Sequence, residues 1–485
     1  MANKDRLTGL DTSFLHLERD TAHMHVAGCS VFAGDAPAYE ELIGAIESRL
    51  HLVPRYRQRL AFVPFNQGRP VWVDDPHFNV RYHVRHTALP RPGGEAQLKR
   101  LAGRVFSQAL DRRRPLWELW LVEGLADGRF ALLSKTHHAL VDGVSGVDIA
   151  TVLFDTSPDP VPVAPPEHEW MPRPLPSSAQ LLADALLERA TVPGEVARGA
   201  RATLRGPRTV VTRLGRALGS VSALAWTGLQ AAPASPFNVR IGPHRRFTWV
   251  RADLDQFKAI KNSLGGTVND VVLAAVTGAL GSYMRLHGEP TEHVGLRAMV
   301  PVSVRADIER GALGNRVAAM WVTLPVGTRD PVQRLSGISK AMDAVKQSGQ
   351  AVGAEILSNL SGFAPPTIMA QAARLQARQR LFNLVVTNVP GPQFPLYLLG
   401  RELESVYPMV PLAENTALGI AILSYNGQLN FGLVGDYDAL ADVEVLADEL
   451  RSSIEELSVA AGLPAPAAPP GGASGARTGR APAPR

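Results

Sequence analysis

The 485-residue sequence contains a single cysteine, Cys29, which excludes an intramolecular disulfide and a cysteine-ligated metal cluster. So little cysteine is typical of proteins in a reducing compartment, and we expect this one in the cytoplasm. The most apolar stretches, Val271 to Leu280 and Ala417 to Leu423, are much shorter than the ~20 residues of a membrane-spanning helix. The N-terminus has scattered charges and no apolar run, so we expect no signal peptide.

Several catalytic motifs are also missing. The sequence has no GxSxG, which argues against a serine hydrolase of the α/β-hydrolase type. It has neither GxGxxG nor GxxxxGK(S/T), so dinucleotide and nucleoside triphosphate sites are unsupported. Cys29 lies between Gly28 and Ser30 and is interpreted as a small buried residue rather than a nucleophile.

The composition is that of a folded protein with a large core. Hydrophobic residues make up 45% of the chain and charged residues 20%, and the length suits two domains. The formal net charge of +5 is compatible with nucleic acid or an anionic membrane as a partner. Because basic and aromatic residues are not interleaved in a base-stacking pattern, we expect no nucleic-acid binding and favour a membrane or an anionic ligand.

Shifts in composition divide the chain into four parts: an N-terminal domain (1–170), a basic amphipathic linker (171–240), a C-terminal domain (241–463) and a disordered tail (464–485). The linker carries apolar residues at helical spacing and seven arginines between Arg189 and Arg216. This pattern is typical of a helix lying on an anionic membrane, or of linker helices that pack on the domains. Gly206-Pro207 interrupts any single long helix there.

Local patterns predict several elements within the two domains. We expect strands over Arg129 to Thr136, Phe247 to Ala252 and Gly295 to Val304, helices over Gly143 to Phe154 and Asn269 to Leu286, an extended connection from Asp155 to Pro176, and a hairpin from Gly419 to Val434 that turns at Asn426-Gly427.

The feature richest in chemistry is the segment HHALVDG, from His137 to Gly143, between a predicted strand and a predicted helix. A neutral histidine here could take the proton of an alcohol that attacks a carbonyl. Asp142 follows His138 by one turn and could fix its tautomer or hold the loop, and Gly143 permits a tight turn. Residues alone leave two alternatives open: a histidine pair that caps a helix, and a metal site, although no recognised second acidic ligand is nearby.

The lack of a covalent nucleophile favours direct attack of one substrate on another. A thioester donor suits this chemistry, because its thiolate leaves with a pKa near 8.5 and needs little help from an acid.

Several segments together resemble the bacterial wax ester synthase/diacylglycerol acyltransferase family, and the resemblance covers nearly the whole chain except the linker and the tail. HHALVDG matches the family's HHxxxDG motif, which peptide-synthetase condensation domains and other coenzyme A-dependent acyltransferases share. The rest of the resemblance lies in Pro115-Leu116-Trp117 (the PLW motif), Val268-Asn269-Asp270 (the ND helix start), Thr387 to Pro392 (the NVPGP segment) and the stretch from Asp11 to Gly28. Their order makes the match specific.

The resemblance implies an α/β (α+β) fold of two chloramphenicol-acetyltransferase-like domains facing each other across a tunnel, with a helical linker between them. It implies that His138 is the general base where donor and acceptor channels meet, and that His137 and Asp142 have mainly structural roles. Asn269 would donate to the oxyanion or cap its helix. The substrate-binding residues would be Pro115, Leu116, Trp117, Asn388 and Pro390.

The implied activity is acyl-CoA-dependent O-acyl transfer, which makes triacylglycerol from diacylglycerol or wax esters from long-chain alcohols. Acyl-CoA is then a substrate, and neither a cofactor nor a metal is expected. We expect peripheral association with the inner face of the plasma membrane and with lipid inclusions. The alternative is a catalytically weak lipid-binding or lipid-droplet protein on the same scaffold.

Overall fold

A computed structural model describes residues 5–141, 152–159, 162–188, 231–303, 317–347 and 381–464. The predicted tail, the arginines from Arg189 to Arg216 and most of the helix predicted from Gly143 therefore lie outside the described residues. Two six-stranded sheets and one two-stranded ribbon organise the remainder.

The first sheet has the strand order β11-β12-β1-β6-β5-β4. Its strands are β1 (His25–Ala33), β4 (Val84–Ala88), β5 (Trp117–Leu125), β6 (Arg129–His137), β11 (Tyr397–Leu398) and β12 (Arg401–Met409). The central pair β1 and β6 is antiparallel over its whole length, from His25 opposite His137 to Ala33 opposite Arg129. The helices of this half are α1 (Gly9–Leu17), α2 (Tyr39–Arg49), α3 (Val80–His83), α4 (Glu95–Phe106) and α5 (His138–Val141).

Strand β12 comes from the C-terminal half of the chain but pairs with β1 of the N-terminal half. Residues 397–409 fall within the C-terminal domain predicted over 241–463. In the structure they form β11 and β12, which belong to the first sheet. Where β12 meets the second sheet the backbones touch: a Cβ on Gly432 would lie 1.8 Å from the Pro408 carbonyl oxygen. Only glycine fits such a contact.

The second sheet has the order β7-β14-β13-β10-β8-β9. Its strands are β7 (Arg245–Asp253), β8 (Gly295–Ser303), β9 (Val317–Pro325), β10 (Leu384–Pro390), β13 (Leu418–Tyr425) and β14 (Gln428–Asp436). Strands β13 and β14 form the predicted hairpin. Asn426 and Gly427, the two turn residues, both have positive φ (43° and 79°), as a type I′ turn requires. The predicted strands at 129, 247 and 295 are confirmed.

The helices of the second half are α6 (Leu254–Leu264), α7 (Val268–Leu286), α8 (Pro331–Gln347) and α9 (Val443–Ala460). Helix α7, predicted from its apolar run, is buried along most of its length and packs against α8 and α9. Within the described residues, no single helix has both the length and the apolar character of a bilayer span; α6 and α7 meet these criteria only as a pair, bent by 97°.

The two halves share one hydrophobic core, which runs from β1 and α4 to β7, α7 and α9. Helix α4 lies directly on β7, since a Cβ on Gly103 would be 2.9 Å from the Arg245 carbonyl oxygen. The Arg245 N–H donates to Ser107 Oγ at 2.8 Å. A continuous, close-packed core of this kind fixes the position of one half of the chain relative to the other.

The small ribbon of β2 (Gln58–Ala61) and β3 (Val71–Asp74) stands beside the first sheet. Residues 155–159 and 162–177 form the predicted extended connection, which leads to a helix over 178–188. Leu181 of this helix packs on Val71 and Val73 of the ribbon. The described part of the linker therefore packs on the N-terminal half.

Candidate active site

His137 and His138 lie where strand β6 ends and helix α5 begins. Two backbone hydrogen bonds fix this junction: the His137 N–H donates to Leu116 O at 2.9 Å, and the His138 N–H donates to Met24 O at 2.8 Å. The pair is thus anchored to both neighbouring strands of the sheet. Asp142 and Gly143, the remaining predicted residues of the motif, lie outside the described residues.

The ring of His137 has one neighbour at each nitrogen. Its Nδ1 accepts from the Ala139 N–H at 3.1 Å, and its Nε2 faces Glu18, 3.6 Å from Oε2. The backbone hydrogen bond at Nδ1 fixes the orientation of the ring, with Nε2 turned towards the carboxylate. His137 is only 1% exposed, and its contacts indicate a structural role at the junction.

Glu18, which holds His137, is itself held by Arg112. The Arg112 Nε–H donates to Glu18 Oε2 at 2.6 Å, and a second guanidinium nitrogen donates to the same oxygen and to Leu15 O. Burial by itself raises the pKa of the Glu18 carboxyl, but the hydrogen bonding of His137 and the charge of Arg112 outweigh it and lower the pKa to about 2. Glu18 is therefore ionised at neutral pH.

His138 is half-buried, and its ring stacks on Phe14 with centroids 4.1 Å apart and planes 18° apart. Phe14 and Glu18 are four residues apart, so both lie on the same face of α1 and its C-terminal end. A capping box fixes the start of helix α1. The Thr8 hydroxyl accepts from the Asp11 backbone N–H, and the Asp11 carboxylate accepts from the Thr8 backbone N–H. One helix thus orients both histidine rings.

The sequence patterns did not predict the roles of Phe14, Glu18 and Arg112 beside the histidine pair. The only signals were the position of Arg112 just before the PLW segment and the spacing of Phe14 and Glu18. Neither pattern indicates that Phe14 and Glu18 lie beside His138 and His137, which are 124 and 119 residues away in sequence.

Pro115, Leu116 and Trp117 are buried, and the latter two belong to the hydrophobic core of the N-terminal half. The Trp117 Nε1–H donates to Tyr56 O at 2.8 Å, and its indole stacks on His83 at 4.7 Å. Since Leu116 O receives the His137 N–H, these contacts give the segment a positioning role. Direct contact of these residues with substrate stays a prediction.

Asn269 and Asn388, predicted separately, are brought together at the edge between α7 and β10. The Asn388 Nδ2–H donates to Asn269 Oδ1 at 3.1 Å. The prediction that Asn269 caps α7 is wrong, because Thr267 caps the helix in a reciprocal pair with Asp270. Asn269 is therefore available for a side-chain role, and Pro390 is exposed at the end of β10.

A cavity of about 1140 Å³ lies between α4 and the strand β7 of the opposite half. Five of its lining side chains are Lys or Arg and two are Glu: Lys99, Arg100, Arg104, Arg245, Arg246, Glu95 and Glu444. Lys99 is paired with both glutamates, at 2.9 and 3.3 Å. The exposed Arg100 and Arg104 add positive charge on the outer side.

Hydrogen bonds link the strands of the histidine junction to one wall of this cavity. Its residue Gln108 accepts from the buried Lys135 of β6 at 2.8 Å, and the neighbouring Phe106 O lies 3.0 Å from His25 Nε2. His25 pairs directly with His137 across the sheet. Burial, with the charge of Lys135, holds the pKa of His25 well below its ordinary value, so His25 is neutral. A short chain of contacts, from Gln108 through Lys135 and from Phe106 through His25, thus joins helix α4 and the residues after it to the strands that carry the histidine pair.

Two other features bear on the chemistry. Cys29 is fully buried, and burial raises the pKa of its thiol, which disfavours a nucleophilic thiolate. In the part of the chain that the structure describes, no three His, Cys, Asp or Glu side chains are grouped so that they could hold a metal ion.

Comparisons with known proteins agree with this geometry. Residues 7–272 match the family model "Wax ester synthase/diacylglycerol acyltransferase catalytic domain", and residues 313–458 match "WS/DGAT C-terminal domain". The probable diacylglycerol O-acyltransferases tgs1 and tgs2 of Mycobacterium tuberculosis H37Rv are 34% and 36% identical to the chain. The tgs1 match covers 93% of this chain and 96% of the relative, and the tgs2 match covers 93% and 98%.

Among solved structures, the wax ester synthase/diacylglycerol acyltransferase of Marinobacter aquaeolei VT8 is similar, with a TM-score of 0.66 and 30% identity. That match covers 94% of this chain and all of the other. A starter condensation domain of rhizomide synthetase shares the fold alone, with a TM-score of 0.56, 15% identity and 94% of each chain covered. The expected two-domain fold of the chloramphenicol acetyltransferase type is confirmed, and the chain belongs to the wax ester synthase/diacylglycerol acyltransferase family and is an acyltransferase.

Proposed function

We propose that this acyltransferase transfers a fatty acyl group from coenzyme A to a lipid hydroxyl, with His138 as the general base. The acceptor hydroxyl loses its proton to His138 while its oxygen attacks the thioester carbonyl, and coenzyme A leaves from the tetrahedral oxyanion. The observation that carries the proposal is the junction of β6 and α5, where the Ala139 N–H holds His137 beside Glu18 and the ring of His138 stacks on Phe14. A junction built this tightly suits a base that must meet its substrate in one orientation.

Direct transfer has a distinct experimental consequence. Because Cys29 is buried with a raised thiol pKa, it does not compete as an acyl carrier. Rapid-quench mass spectrometry during turnover should therefore find no acylated protein. Trapping an acyl group on the chain at the rate of turnover would contradict direct transfer.

The cavity beside α4 supports coenzyme A as the donor, since guanidinium groups bind phosphates well. Arg100 and Arg104 are exposed at this cavity and serve as test positions. Replacing both with Glu should raise KM for palmitoyl-CoA about 10-fold or more and leave KM for palmitoyl-pantetheine, which lacks the nucleotide, unchanged. Arg451, exposed and paired with Asp448, gives a control for charge reversal outside this cavity, Arg451→Glu. An equal change in both KM values would contradict a role for this cavity in donor binding.

For the acceptor we propose diacylglycerol, which would make triacylglycerol, and also long-chain alcohols, which would make wax esters. The names of the relatives support the first, and the name of the family supports both. Palmitoyl-CoA offered with hexadecanol and diacylglycerol together measures the preference. Absence of both products would contradict the proposal.

The alternative is a lipid-binding or lipid-droplet protein with little activity. The contacts that hold His137 and orient His138 favour catalysis, because a protein that only binds lipid has no need of them. Acyl-CoA consumption with and without acceptor separates the two functions.

We also propose peripheral attachment to the inner face of the plasma membrane and to lipid inclusions. The seven arginines between Arg189 and Arg216 support this by their sequence. Deleting residues 189–216 should weaken binding to anionic vesicles at low salt. Unchanged binding would contradict a role for this stretch.

A further inference from the structure

The loop that joins β2 and β3, residues 62–70, presents two phenylalanines to solvent. Phe62 is 49% exposed and Phe65 is 83% exposed. Phe65 and the next residue, Asn66, have positive φ values of 57° and 53°. A bulky residue seldom adopts this conformation, and such strain persists only where the surrounding structure imposes it. The loop therefore displays Phe65 outward at a conformational cost.

The helix over 178–188 places two more apolar side chains next to this loop. Leu186 is 52% exposed and Leu187 is 64% exposed. Their helix touches the loop on either side of these leucines: a Cβ on Gly68 would lie 2.8 Å from Ala185 Cβ, and Arg69 pairs with Glu188 at 2.6 Å. We call these four side chains, Phe62, Phe65, Leu186 and Leu187, the apolar tip. Four large apolar side chains exposed together are unusual on a protein surface that stays in water.

The segment that carries the loop is rich in arginine. Residues 48–73 contain five arginines and no aspartate or glutamate. Arg49 and Arg69 are ion-paired, with Asp155 and Glu188. Arg55 and Arg57 instead lie over aromatic rings, 5.2 Å from the centroid of Trp72 and 4.6 Å from that of Trp170. Exposed apolar side chains in an arginine-rich segment match the two parts of an anionic lipid surface, the acyl chains and the headgroups.

We propose that the apolar tip inserts into an anionic lipid surface and docks the enzyme there. Transfer of the phenylalanines from water into the lipid favours binding, and the arginines add an electrostatic attraction that salt weakens. The ribbon and helix are fastened together by Leu181, Val71 and Val73, so the four side chains approach the surface as one unit. The role of docking in delivering the acceptor rests on the proposed function, but lipid binding does not.

The test is co-sedimentation of the full chain with vesicles of phosphatidylcholine mixed with phosphatidylglycerol. Phe62→Ser with Phe65→Ser should lower the partition coefficient about 10-fold or more, and raised salt should lower that of the wild type. Val459→Ser is the matched control, since Val459 is 69% exposed on α9, away from the tip, and this variant should bind as the wild type does. Wild-type binding by the double variant, or an equal loss in the control, would overturn the proposal.

A gain of signal guards against misfolding of the double variant. The wild type has seven tryptophans, whose fluorescence in mixed vesicles with brominated phosphatidylcholine gives the baseline quenching. The tryptophan fluorescence of Phe65→Trp should be quenched more strongly than this baseline. No additional quenching would overturn insertion of the tip.

Activity separates docking from catalysis. His138→Ala should bind vesicles normally. Phe62→Ser with Phe65→Ser should keep its activity on a short, water-soluble alcohol and lose it on acceptors held in vesicles. A loss on both acceptors would place the effect at the active site and contradict the docking role.

Discussion

Replacing Glu18 with Gln tests how the histidine junction is built. The variant keeps the size of the side chain and removes the charge that His137 Nε2 and the Arg112 guanidinium both face. The pKa of Glu18 falls from its ordinary 4.5 to about 2 in the folded protein, and at about 1.36 kcal/mol per pKa unit this corresponds to about 3 kcal/mol of stability at pH 7. Because the Arg112 side chain is 37% exposed and partly hydrated, we expect a measured loss of about 2–3 kcal/mol.

The pH dependence has a definite sign. A depressed carboxyl pKa stabilises the fold above the unfolded value, near 4.5, and this contribution is lost as pH falls towards 2. The difference between wild type and Glu18→Gln in urea unfolding, followed by tryptophan fluorescence, should be constant above about pH 5.5. It should narrow below pH 4.5, where the unfolded carboxyl takes up its proton.

Glu18→Gln should also lower kcat, by up to about 100-fold, with little change in KM, because the substrate still binds while the histidine rings shift. Glu18→Asp keeps the charge and should recover part of the activity. Equal stability of wild type and Glu18→Gln at pH 7, or a difference that does not narrow at low pH, would refute the role of this carboxylate.

Two further predictions concern the segments shared with the family. Trp117→Phe leaves Tyr56 O without its indole donor and should cost about 1–3 kcal/mol in urea unfolding; an unchanged midpoint would contradict the positioning role. Asn269→Ala should lower kcat about 100-fold or more if its amide stabilises the oxyanion, whereas Asn388→Ala, which removes only the donor to Asn269 Oδ1, should lower it less. If both substitutions lower kcat only slightly and by the same factor, the two asparagines have a structural role.

Local patterns were enough to predict β6, α7 and the β13–β14 hairpin. Each depends on residues adjacent in sequence: an apolar run, a helical repeat, or Asn426-Gly427, a dipeptide typical of a tight hairpin turn. The histidine pair was predicted to follow a strand, as it does, but α5 begins at His138, earlier than the helix start predicted at Gly143.

Long-range arrangements were not predictable in this way. No local signal indicates that Val406 pairs with Ser30 across the first sheet, which moves β12 out of the C-terminal unit. Glu18 and Arg112 meet only after α1 and the segment before β5 are packed together. Helix capping was one of two roles predicted for Asn269, because asparagine is a frequent cap, but Thr267 with Asp270 completes a reciprocal pair that Asn269 does not.

The central claim is that His138 takes the proton of the acceptor. Its most direct test is the initial rate of triacylglycerol formation from palmitoyl-CoA and diacylglycerol by His138→Ala, with binding of both substrates measured separately. We expect turnover to fall by about 10²–10⁴-fold while both dissociation constants stay within a few-fold of the wild type. A variant that binds both substrates and forms triacylglycerol at the wild-type rate would contradict the account.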